Sequence, residues 1–121
     1  MDDANKKHKL FIKGIELFNK KEFYDAHEYW EELWLEYCFE DRKFIQALIQ
    51  LTVAYYHLST DNKKGALSLF NKSLDKMKMF TPDNRGIDVN MIISSINQAI
   101  DVINKNRTID WDAMPMLEIK L

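Results

Sequence analysis

His27 and Glu31 stand four residues apart in the segment Phe23-Tyr24-Asp25-Ala26-His27-Glu28-Tyr29-Trp30-Glu31-Glu32-Leu33-Trp34. On a helix that spacing brings an imidazole and a carboxylate to one face, about 6 Å apart. At about 100° per residue, Tyr24, His27, Glu31 and Trp34 share one stripe, flanked by Trp30 and Leu33, while Asp25, Glu32 and Glu36 point away. A second segment, 42–58, is apolar on nearly every face, yet it carries Gln46, Gln50 and His57, which fall within about 40° of one another. A turn centred near residue 40 makes the two helices antiparallel, so facing residue numbers add to about 81. That register predicts Glu31 opposite Gln50, and His27 opposite Ala54, one turn from His57.

Three chemistries fit such a cluster. His27, Glu31 and His57, with Glu28 or Gln50 nearby, are ligand types that suit a divalent metal ion such as zinc, iron or manganese. Alternatively, Glu31 orients His27 as a general base. The plainest reading is a buried polar network, since each buried polar group left unpaired costs roughly 1–3 kcal/mol. The zinc-protease string His-Glu-x-x-His is excluded, because position 31 is glutamate. The leading expectation is a non-enzymatic module that uses the His/Glu/Gln cluster to bind an unidentified protein or small ligand. The rival is a metal-binding protein or metal-dependent hydrolase using His27, Glu31 and His57. Phe23, Trp30, Trp34, Tyr55 and Tyr56 are spaced like core residues rather than a ligand cage. Cys38 sits beside acids that disfavour a thiolate, so it is not read as a nucleophile. His8, in a lysine-rich start, is expected to be solvated.

Five helices must position these groups. Apolar periodicity and breakers predict them at about 3–19, 22–38, 42–58, from Asp61-Asn62 to near Met79, and 89–106. The expected N-caps are Asp41 and Asp88. Lys20-Lys21 turns the chain, and Thr81-Pro82-Asp83-Asn84-Arg85-Gly86 is the clearest breaker. The tail, with Trp111 and Pro115, is expected to pack on the bundle as an extended arm, burying part of Met114, Met116, Leu117, Ile119 and Leu121.

Composition narrows the class. The chain has 121 residues, 46% hydrophobic and 30% charged, with three glycines, two prolines and one cysteine. These numbers predict one all-α domain and exclude a turn-rich β fold or a disulfide framework. No apolar stretch is long enough for a membrane span and no signal-peptide core opens the chain, so a soluble cytoplasmic protein is expected. Residues 22–41 hold eight acids and no lysine or arginine, whereas 6–21 hold six lysines and one glutamate. These blocks belong to adjacent antiparallel helices and can face each other; as solvated faces they form exposed ion pairs worth roughly 0–1 kcal/mol. A net charge of −2, and basic residues on the fourth helix without interleaved aromatics, argue against nucleic acid as a partner. The apolar tail fits a monomer or a homodimer.

A shift of 40 residues lays Gly14 on Ala54, Ala26 on Ala66, Trp30 on Phe70 and Trp34 on Leu74. Small residues at these places let helices approach closely, and the spacing resembles a tetratricopeptide hairpin. Two such hairpins closed by a fifth helix make a compact bundle. Gly14-Ile15-Glu16-Leu17-Phe18, the His-Glu-x-x-Glu-x-x-Trp string at 27–34, Phe44-Ile45-Gln46-Ala47-Leu48-Ile49-Gln50, Tyr56-His57 and Gly65-Ala66 together resemble the small helical family known as domain of unknown function 309. The resemblance spans about residues 10–80 and implies an all-α fold of bacteria and archaea. Ala47 departs from the family's usual glycine, which touches packing more than chemistry. The family carries no assigned activity, so the resemblance marks the stripe as distinctive without giving it a role.

Overall fold

Helical periodicity becomes helix along most of the chain. The computed structural model describes residues 3–36, 40–114 and 116–119. It places α1 at Asp3–Asn19, α2 at Phe23–Glu36, α3 at Arg42–Ser59, α4 at Lys63–Met77 and α5 at Val89–Asn104. Short 3₁₀ turns follow at Lys78–Phe80 and Trp111–Ala113. The all-α reading therefore stands. The expected end of the second helix at Cys38, the turn residue Phe39, the reading of Cys38 itself, Pro115 and Leu121 lie outside the described residues.

The 40-residue repeat is written into the backbone. Lys21 between α1 and α2, and Asp61 between α3 and α4, both adopt the left-handed conformation, with φ of 63° and 61°. In the first turn the amides of Lys21 and Glu22 donate to the carbonyls of Phe18 and Leu17, at 2.9 Å each. In the second, Asp61 and Asn62 donate to Leu58 and His57, at 3.2 and 2.7 Å. This paired pattern satisfies the last carbonyls of a helix and reverses the chain in two residues. Helices α1–α2 and α3–α4 are thus two hairpins with the same turn.

Small residues let these hairpins close. A Cβ on Gly14 would run into the indole of Trp30, which is fully buried and donates Nε1–H to the Phe11 carbonyl at 3.1 Å. Ala54 and Ala66 are likewise fully buried. Two buried hydroxyls tie neighbouring helices: Thr52 donates to the Phe23 carbonyl at 3.4 Å and Ser73 to the Ala47 carbonyl at 2.8 Å. The core continues through Phe18, Phe44, Tyr55 and Phe70 to Ile92 and Ile96 of α5.

The breaker before α5 holds more order than its composition suggested. Asp83–Asn84 (β1) and Ile87–Asp88 (β2) pair antiparallel across Arg85 and Gly86, whose φ values of 53° and 77° suit a two-residue hairpin turn. Asp88 then caps α5, accepting from the Met91 amide at 3.0 Å. Asp41 does occupy the N-cap position of α3, but its carboxylate makes no capping bond. It takes the guanidinium of Arg85 instead, with Nη2 at 2.9 Å, and Asn84 Nδ2 at 3.0 Å. A bidentate guanidinium outcompetes a single backbone amide for the same oxygens. Arg85 also lies over the Phe11 ring, 5.0 Å from its centroid. One loop salt bridge therefore fastens the β1–β2 turn to the first half of the molecule.

The tail packs on its own bundle, as expected. Asn19 at the end of α1 brackets the backbone of Leu117, donating to its carbonyl at 2.9 Å and accepting from its amide at 2.8 Å. Leu117 is buried and Trp111 rests against Phe23 and Tyr55, whereas Met116 stays 55% exposed.

Candidate functional site

On α2 the buried residues are Phe23, Ala26, Trp30 and Leu33. Trp30, expected at the flank of the polar stripe, is the axis of the buried face. Trp34 and His27 lie about 40° and 60° from it, and Glu31 and Tyr24 about 100° and 120°. Burial follows those angles: Trp34 and His27 are half-buried, while Glu31 and Tyr24 are exposed. The stripe is real, but it forms the rim of the α2–α3 contact rather than its interior.

The register between α2 and α3 also differs from expectation. Phe23 meets Thr52 and Tyr55, Tyr24 meets Tyr56, and Arg42 packs on Trp34. Against facing numbers that add to about 81, these pairs run out of step by one residue at Tyr24–Tyr56 and by up to six residues, about 1.7 turns, at Phe23–Thr52. The predicted facing of Glu31 and Gln50 is accordingly replaced. Glu31 Oε2 pairs with His27 Nε2 on its own helix at 3.1 Å. Gln50 keeps a buried Oε1 without a hydrogen-bond partner among the described residues. Gln46 is half-buried, and Glu28 is exposed on the α1 side of α2, away from the stripe.

The two histidines are engaged in ways that bear on their chemistry. His27 Nδ1 faces the Tyr24 carbonyl at 3.0 Å while Nε2 faces the Glu31 carboxylate. Both partners are acceptors, so the two hydrogen bonds coexist only when both ring nitrogens carry protons. His57 faces the other way along the chain. Its Nδ1 lies 3.3 Å from Asn62 Nδ2, and Asn62 Oδ1 accepts from the Gly65 amide at 3.1 Å. That acceptor role fixes the amide so that Asn62 donates to His57. Among the described residues no three His, Cys, Asp or Glu side chains come together to hold a metal ion. In the structure His27 pairs with Glu31 and His57 pairs with Asn62.

Other candidates have structural work. Arg42 lies 4.0 Å over the Trp34 ring and donates to the Trp34 carbonyl at 2.9 and 3.2 Å, closing the start of α3 onto α2. Tyr55 is buried in the core as expected; desolvation pushes its phenol up to about 12, with a hydrogen bond from Ser95 acting against that rise. Tyr56, read as core, is 37% exposed and Tyr24 is 54% exposed. Their rings lie 5.8 Å apart, with His27 5.3 Å from Tyr24 and His57 6.1 Å from Tyr56. An unbroken row His27–Tyr24–Tyr56–His57 therefore crosses from α2 to α3 at the surface. The sequence spacing of 24 and 27 signalled half of it; the α2–α3 register supplies the rest.

The fold and this rim define a small all-α bundle of two like hairpins closed by a fifth helix. Residues 11–69, which cover most of α1, all of α2 and α3 and the start of α4, match the family described as domain of unknown function (DUF309). No protein of curated function matches the chain. No helix among the described residues is long and apolar enough to cross a membrane.

Proposed function

We propose that the protein is a non-catalytic binding module, and that the row His27–Tyr24–Tyr56–His57 with Glu31 is the surface it presents to a protein segment or small ligand. The observation that carries this reading is the exposed, contiguous tyrosine pair between two imidazoles. Tyrosine offers a large rigid contact face with a polar tip at small entropic cost, which suits recognition better than it suits a solvated surface. The two hairpins with identical turns favour a tetratricopeptide-like use, in which the paired helices hold a recognition face steady. The single cysteine fits a reducing, cytoplasmic setting.

The test is a binding screen read by backbone amide shifts, using small fragments and short peptides against the full chain. Hits are expected to perturb Tyr24, His27, Tyr56 and His57 together, and to weaken at least tenfold in Tyr24→Ala or Tyr56→Ala with the helical spectrum unchanged. Hits that ignore both substitutions would refute this surface.

A further inference from the structure

The outer side of the α1–α2 hairpin, away from the ring row, carries an open groove of about 630 Å³. Leu10, Ile12 and Tyr29 supply its apolar lining; Lys6, Lys9 and Lys13 of α1 line it with Glu32 and Glu36 of α2. It continues toward the turn beside Asp25 and Glu28, in a further 500 Å³. Lys6, Lys9, Lys13, Glu28, Glu32 and Glu36 are all exposed, and Tyr29 is 37% exposed. Lys13 pairs with Glu16 along its own helix, at 4.0 Å.

We propose that this face joins two copies of the chain about a two-fold axis parallel to the helices. Two flat helix pairs can meet face to face about an axis running across the helices or along them. The first lays α1 on α1 and α2 on α2, setting lysines on lysines and carboxylates on carboxylates, which is repulsive. The second lays each α1 antiparallel over the other copy's α2. Phe11 is level with Trp30 in this hairpin, as their hydrogen bond shows. Lys6, Lys9 and Lys13 therefore stand level with Glu36, Glu32 and Glu28. About an axis along the helices, a lysine row meets a glutamate row twice, once on each side. The surface is self-complementary in the sense an isologous pair requires. Its extent sets the strength. Helices of 17 and 14 residues, about 25 and 21 Å long and about 10 Å wide each, offer on the order of 500 Å² per copy. The pair then buries about 1,000 Å², the lower bound for a specific contact, so the dimer is weak and salt-sensitive.

Sedimentation of the full chain tests this, with two charge-reversed variants. One carries Lys6→Glu, Lys9→Glu and Lys13→Glu; the other Glu28→Lys, Glu32→Lys and Glu36→Lys. The expected result is a wild-type dimer whose dissociation constant rises at least tenfold from about 50 mM to about 0.5 M salt. Each variant alone is expected to be monomeric, and their equimolar mixture to dimerise again. A wild type that stays monomeric, a dimer indifferent to salt, or a folded mixture that stays monomeric overturns the proposal. Should a variant fail to fold, zero-length crosslinking of mixed unlabelled and ¹⁵N-labelled wild type decides. Crosslinks joining α1 of one isotope to α2 of the other support the pairing, and their absence overturns it.

Discussion

Trp30 and Glu31 are neighbours on α2, and Tyr55 and Tyr56 are neighbours on α3, yet each pair divides between two regions of the molecule. Trp30 and Tyr55 belong to a dry aromatic interior, in which Phe18, Phe23 and Phe70 stand within 6.1 Å of one or both, ring centre to ring centre. Glu31 and Tyr56 belong to the wet rim, where exposed rings and a histidine–carboxylate pair are arranged at similar spacing. For Tyr55 and Tyr56 the residue type is the same, and helical phase alone separates them. The interior is over-determined, because Trp30 fills the notch left by Gly14 and spends its one donor on a backbone carbonyl. On the rim, the hydrogen bonds that join His27 to Tyr24 and Glu31, and His57 to Asn62, run within one helix or one turn. Stability should therefore concentrate in the first region and freedom to bind in the second.

The sharpest way to break that contrast is to remove its anchor. Trp30→Ala is expected to cost about 3–5 kcal/mol, from lost transfer energy and a cavity the rigid hairpin cannot close, read from denaturant midpoints. Tyr56→Ala is expected to stay within about 0.5 kcal/mol. A Tyr56 substitution as costly as the Trp30 one would erase the distinction. Next in size is the arm. Deleting residues 114–121 removes buried Leu117 and its two hydrogen bonds to Asn19, at about 2–4 kcal/mol. The loss should be the same at every protein concentration, because the arm lies on its own bundle. A truncation that leaves the melting temperature alone and only changes the sizing profile would assign the arm to a second copy.

Asp41 tests a third site that belongs to neither region. The Arg85 guanidinium holds its carboxyl below the ordinary carboxylate value of 3.8, against the opposing effect of burial. A carboxyl lowered in the folded state stabilises above its unfolded value, and that contribution disappears as pH falls through the folded one. Asp41→Ala is accordingly expected to cost about 1–3 kcal/mol near neutrality, by removing the carboxylate that takes the Arg85 guanidinium and the Asn84 amide. The gap between variant and wild type should narrow as pH falls below the ordinary carboxylate value of 3.8. A gap that is constant with pH would place the stabilisation in packing rather than in the ion pair.

Much of the fold was legible because helix phase and breakers are local signals. The limits of α1, the Asp88 cap, the small residue Gly14 beside a large partner, and the 40-residue repeat all follow from spacing within a few turns. The site was less legible because it depends on how one helix sits against another. His27 and Glu31 do meet, since four residues on one helix determine that. Glu31 and Gln50 do not, because the α2–α3 register is set by Thr52, Tyr55 and Arg42 packing on α2, up to six residues from the simple count. The Asp41–Arg85 link joins residues 44 apart, and a capping position looked the same with or without it.

The smallest expected difference is the most diagnostic of that register. A Glu31 buried against α3 would make Glu31→Ala clearly worse than Glu32→Ala. In the structure the Glu31 side chain is 49% exposed and pairs with His27, itself 21% exposed. An exposed pair four residues apart on a helix contributes about 0.3–0.5 kcal/mol, and Glu32 stands on the opposite, solvent-facing side. The two alanine variants are thus expected to lie within about 0.5 kcal/mol of each other and of the wild type. Their behaviour should part only in binding, because Glu31 borders the ring row and orients His27 whereas Glu32 lies on the far groove. A Glu31→Ala midpoint lowered by more than about 1 kcal/mol relative to Glu32→Ala would return this carboxylate to the interior and move the rim with it.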